Sequence, residues 1–96
     1  MNQQLIQTVL KLFKINKGIR HDLRDELFLN LIESSYTDLE KMGMSLTEAT
    51  AQDIQLVLEY ANWYYDNRSG NVGLPRNLQF KIHNRVVEKV VLDAKS

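Results

Sequence analysis

The densest run of groups able to do chemistry is Arg20-His21-Asp22-Leu23-Arg24-Asp25-Glu26. On a helix, His21 and Asp25 at i,i+4 would set an imidazole and a carboxylate on one face, and Asp22 with Glu26 would set two carboxylates at the same spacing. Neither pair is a complete site. A metal centre needs a third or fourth ligand, and an acid and base pair must flank a bond, yet nothing nearby in sequence supplies either. The run is therefore read as the solvated first turns of a helix, with acids where the macrodipole favours them.

Other reactive side chains are as isolated. His83 stands one residue off an apolar ridge, as a boundary histidine does. Ser34, Ser35, Ser45 and Ser69 lie in no Gly-flanked nucleophile elbow and beside no histidine. The Gly70-Asn71-Val72-Gly73 loop lacks both the Lys-Ser/Thr and the preceding strand of a phosphate-binding loop. No catalytic residue, metal ligand or cofactor is assigned, and the chain is not read as an enzyme.

Two clusters point to binding. Ile54, Val57, Leu58, Ala61, Tyr64 and Tyr65 gather on one side of a helical wheel, while Leu56, Tyr60 and Trp63 form a second ridge. A helix that is apolar on two sides must bury both, in its own domain or against a partner. Tyr60 and Trp63 are taken as interface residues because aromatic anchors concentrate at interfaces; the alternative is that the first helix folds over Leu56, Tyr60 and Trp63 and makes them core. Arg68, Arg76, Lys81, Arg85 and Lys89 form a local basic stretch. It reads either as a solvated face or as a surface that lets phosphates pass without gripping them.

The elements that must position these residues are legible from periodicity. Leu5, Ile6, Val9, Leu10, Leu12 and Phe13 predict a short amphipathic first helix, ended at Asn16-Lys17-Gly18 by a glycine free to turn left-handed. The steps of Ile19, Leu23, Leu27, Leu31, Tyr36, Leu39 and Met42 predict a long second helix closed by Gly43. A connection over residues 44–50 offers either a Ser45 and Glu48 capping box or Thr50 alone as the cap of a third helix from Ala51 to Asn67. After the Ser69 to Gly73 break, Pro75 sits where proline starts a helix, and Leu78, Ile82, Val86 and Val90 recur every four residues. The β-branched run over residues 86–92 admits a short C-terminal strand, with helix preferred. The layout is an all-α, four-helix compact domain over residues 1–96, whose shared core is predicted to hold Leu23, Leu27, Leu31, Val57, Leu58, Ala61, Leu78 and Ile82.

Composition narrows the class. A chain of 96 residues suits one compact domain with a thin core, and 44% apolar with 25% charged residues is ordinary for a globular protein. Twelve cations balance twelve anions, so no long-range field holds a polyanion or an anionic membrane. With no cysteine, disulfides and thiolate sites are excluded. The opening MNQQLIQTVLKLFK lacks the basic start and cleavage site of a secretory signal, and no apolar run approaches membrane-spanning length, so a soluble protein made and used in a cytoplasm is expected.

The order of these pieces resembles the small head-tail connector (adaptor, or DNA-packaging) proteins of tailed bacteriophages. IRHDLRDELFLNLIESSYTDLEKMG, residues 19–43, looks like that family's acidic helix with its glycine stop. DIQLVLEYANWYYDNRSG resembles the following helix, which ends in an aromatic and then an arginine, here Tyr65 and Arg68, and LPRNLQFKIHNRVVEKV resembles the closing helix introduced by Leu74-Pro75. Ser34 and Ser35 stand where the family commonly has alanines, and the first helix is more apolar than its usual charged opening. The resemblance implies a virion component, assembled in the host cytoplasm, that forms a homo-oligomeric ring between portal and tail. Its partners would be the portal protein and tail-completion proteins, with transient, non-specific contact to DNA passing through, and no membrane. Heterologous contacts repeated by rotation would build such a ring. The alternative from another class is a small cytoplasmic helical regulator of one protein or DNA partner, for which residues 76–89 are a weak recognition helix.

Overall fold

The computed structural model describes residues 1–67, 70 and 73–95, the last four of these for backbone alone. Four helices follow in order: α1 (Gln3–Lys17), α2 (Asp25–Lys41), α3 (Ala51–Asp66) and α4 (Arg76–Lys95). No strand occurs among the described residues, and α4 runs helical through the β-branched segment. The molecule measures 45 × 30 × 18 Å. Its shortest dimension holds about two helix layers at the usual 8–10 Å spacing, so every helix keeps a face toward solvent.

Local chemistry sets the helix ends. Asn2 caps α1 by accepting from the Leu5 N–H at 3.1 Å, and its amide donates to the Leu46 carbonyl at 2.9 Å, tying the start of α1 to the α2–α3 connection. Gly18, at φ 70°, ends α1, its N–H donating to the Ile15 carbonyl while Ile19 donates to Lys14. This paired bonding needs a left-handed residue, which glycine adopts at little cost. Gly43, at φ 108°, follows α2, and a Cβ there would also lie 3.1 Å from the Val86 side chain on α4. Thr50, rather than Ser45, caps α3 in a reciprocal box with Asp53.

The core is built by Leu5, Ile6, Val9 and Phe13 of α1, Phe28, Ile32, Tyr36 and Leu39 of α2, and Leu56, Val57, Leu58, Tyr60 and Ala61 of α3. Met44 and Leu46 of the connection close one side of it, and Leu78 and Ile82 bring in α4. Phe13 and Phe28 meet with ring centroids 5.2 Å apart, and Tyr65 packs edge-on to both.

The predicted core holds in α3 and α4, where Val57, Leu58, Ala61, Leu78 and Ile82 are buried, and fails in α2. Leu23 is 89% exposed and Leu27 58% exposed, while Leu31 is only half-buried. Helix α2 begins at Asp25 rather than Ile19, which leaves Leu23 in a turn. Within the helix, the buried face follows Phe28, Ile32, Ser35, Tyr36 and Leu39, about 100° round from the leucines. Burying Phe28 and Tyr36 removes more apolar surface from water than burying two leucines, so the aromatic face turns inward.

Candidate functional site

The most constrained polar group is Asp53, a carboxylate with no solvent exposure at the first turn of α3. It accepts from the Thr50 N–H at 2.9 Å, from Arg85 Nε at 2.8 Å and from Arg85 Nη2 at 3.3 Å, with Lys89 Nζ 3.0 Å away. Arg85 also donates to Thr50 Oγ1 at 3.1 Å and to Glu88 at 3.2 Å. Lys89 reaches the Ser45 carbonyl of the connection as well. Burial works to raise the Asp53 pKa, but the Arg85 bonds, the Thr50 N–H and Lys89 outweigh it and hold the carboxyl down at about 2. The Asp53 hydrogen bond in turn raises the Arg85 guanidinium above its ordinary range. Sequence reading passed over Asp53; the Thr50-x-x-Asp53 capping spacing was its only local signal, and its two cations lie more than thirty residues away on α4.

This clasp corrects the basic surface expected from the sequence. Arg85, 8% exposed, is a structural ion-pair partner and cannot present itself to DNA. Lys89 is held by the same carboxylate. Lys81 donates to Glu59 at 3.2 Å and stays half exposed, Arg76 is exposed, and Arg68 lies outside the described residues. The four of these basic residues that are described therefore do not converge on one open face.

The second α3 ridge is also placed differently. Tyr60 is 5% exposed, and its hydroxyl donates to Asp38 of α2 at 3.0 Å. Burial, with the Asp38 carboxylate beside it, raises the phenol to about 12. In the monomer Tyr60 is thus core rather than a free interface residue, because α2 supplies both the apolar cover and the polar partner that a buried phenol needs. Trp63 is half-buried against the same core, 5.5 Å from the Tyr60 ring and 6.4 Å from Tyr64. Tyr64, assigned to the inner stripe, faces solvent.

In the polar run before α2, His21 and Asp22 are exposed, and Lys14 of α1 bridges Asp22 at 2.7 Å and Asp25 at 2.8 Å. Hydrogen bonding to Asp22 and then Asp25 raises the Lys14 pKa, and Lys14 lowers that of Asp22. These acids staple α1 to the start of α2. No group of three His, Asp or Glu able to hold a metal occurs among the described residues. His83 lines an open groove of about 340 Å³ with Met42, Leu74, Gln79, Ile82 and Val86. Among the described residues that line it there is no nucleophilic hydroxyl and no pair of carboxylates.

Several apolar side chains are left on the surface. Phe80, Val87 and Val91 are exposed along the side of α4 opposite Leu78, Ile82 and Arg85, with Val90 exposed on its flank, and Leu23, in the turn before α2, and Leu27, in its first turn, are exposed as well. No described helix is long and apolar enough to cross a membrane. Comparison of the chain with family models, curated proteins and solved structures gives no match.

Proposed function

We propose that the chain is a non-enzymatic structural protein of a phage or prophage virion, whose copies assemble into a ring between portal and tail through which DNA passes. The observation that carries the self-assembly part is the surplus of apolar side chains on two separate surfaces, one on α4 and one at the start of α2. Isolated surface leucines and valines are common, but an exposed stripe following one helical face is the form a protein interface takes. Two unlike surfaces on one chain are what a heterologous, rotating contact requires.

The place of the ring rests on the resemblance of residues 19–43 and of the Leu74-Pro75 helix to head-tail connectors. The charge balance suits a DNA conduit: the chain is neutral overall, and the pairing of Arg85 and Lys89 with Asp53 takes two cations out of the basic stretch on α4. The reading is tested by size-exclusion chromatography with light scattering, on the chain alone and then mixed with portal protein. A ring-sized species in either sample is expected. A chain that stays monomeric in both, and instead binds a defined DNA sequence or a single protein, would make it a regulator.

A further inference from the structure

We infer that α4 is an exchangeable arm: in the assembly it leaves the body of its own copy and docks in the same seat on the next one, selected by the Asp53 clasp. The inference rests on the self-assembly reading and names the element that links the copies. It starts from how unevenly the helices are buried. Helices α1 and α2 each bury five side chains and α3 buries six, whereas among the described side chains α4 buries only Leu78, Ile82 and Arg85. The other three helices close on one another without it. The Asn2 N–H donates to the Tyr36 hydroxyl, the Asn2 amide to the Leu46 carbonyl, and Lys17 bridges Asp66 at 2.8 Å.

The seat of α4 holds little apolar area but is exacting in shape and charge. Val86 fits against Gly43, where a Cβ would come within 3.1 Å, and the polar bonds of α4 to the body run to Asp53 and Glu59, the Thr50 cap and the Ser45 carbonyl. Few buried apolar side chains, and an ion pair that recovers little beyond its desolvation cost, put α4 at the low-stability end of the molecule. It should open before the body does.

An empty seat decides what refills it. Asp53 has no solvent exposure, and without Arg85 and Lys89 its charge would lie buried against no cation. Refilling needs a guanidinium and an ammonium one helical turn apart, a pair that α1, α2 and α3 do not contain. The α4 of a second copy brings it unchanged, so exchange repeats the native bonds between chains, the low-cost way in which an identical element links copies. By sequence, eight residues separate Asn67 from Arg76, enough to reach roughly 26–29 Å when extended, close to the 30 Å middle dimension of the molecule. Exchange in one direction from copy to copy is a heterologous contact, as a ring needs.

The test is cross-linking, for which the chain has no cysteine of its own to interfere. Glu59→Cys/Lys81→Cys places one thiol on α3 and one on α4 at a partly exposed bridge, and Lys17→Cys/Asp66→Cys places both within the body. Each variant, with folding verified by circular dichroism, is assembled alone or with portal protein, treated with a short bis-maleimide and run on a denaturing gel. The oligomer of the first should give a covalent ladder of several chains, and that of the second a single-chain product. If the first variant also links only within single chains, α4 stays at home and the inference falls while self-assembly stands. Equal ladders from both variants would overturn it too, since they report copies that lie close without exchange. A ladder that stops at two chains would support the arm and overturn the ring. Hydrogen exchange on the native chain is an independent reading: α4 should exchange ahead of the body in the monomer and become protected on assembly, and an α4 as protected as the body in the monomer would sink the inference. If the native chain never assembles, alone or with portal protein, the functional reading fails and the inference with it.

Discussion

Where α1, α2 and α3 meet, the rings of Phe13, Phe28 and Tyr65 pack at centroid distances between 5.2 and 6.0 Å. Where α4 meets α3, beside Leu78 and Ile82, the contact turns on one buried carboxylate, a guanidinium, an ammonium and a threonine hydroxyl. Apolar packing is non-directional and accumulates with area, so it supplies the body's stability. A buried ion pair recovers little beyond its desolvation cost, but it tolerates one geometry and so fixes how α4 lies. The three-helix body is held by quantity of contact and the fourth helix by its particulars. That matters because the outward stripe of α4 is aimed by the clasp on its other side.

The comparison is tested first where the effect is largest. Phe28→Ala should cost about 3–5 kcal/mol, since it opens a cavity between α1 and α3, and urea denaturation should show most of a small domain's stability gone. A midpoint close to that of the native chain would mean the rings are not the centre of the body.

Arg85→Ala comes next, at about 3 kcal/mol. It sits at the low end for breaking a buried pair because Lys89 remains near Asp53. Hydrogen exchange should show the loss concentrated in α4, with α1 protected as before; uniform deprotection would place the clasp inside the main cooperative unit.

Acid gives a smaller effect through the same carboxylate. Asp53 is lowered from 3.8 to about 2, so its contribution is complete above pH 3.8 and is lost as pH falls through 2. The shift corresponds to about 2 kcal/mol. Native stability should therefore fall across that window more steeply than that of Asp53→Asn, and parallel curves would remove Asp53 as the acid-sensitive group. Smallest of all, Leu27→Ala should change stability by less than about 0.5 kcal/mol, despite sitting next to Phe28, because its side chain is already in water.

The four helices were legible in the sequence, because each depends on neighbours within a few residues, although α2 starts at Asp25 and not at Ile19. Periodic apolar steps mark the helices, Gly18 and Gly43 supply left-handed stops, and the Thr50 to Asp53 spacing supplies a cap. Tertiary structure decided which face of a doubly apolar helix turns inward. In α2 the regular leucines and the aromatic face are both acceptable patterns, and only the presence of Phe13 and Tyr65 opposite Phe28 selects the second. In α3 the ridge holding Tyr60 became core because Asp38, 22 residues away, stands where its hydroxyl needs an acceptor. Arg85 looked like part of an open basic stretch until Asp53, 32 residues earlier, proved to be its partner. Pattern along a chain reports the angle between side chains on one helix, but burial depends on which surfaces meet across helices, and that is decided only when the whole chain has packed.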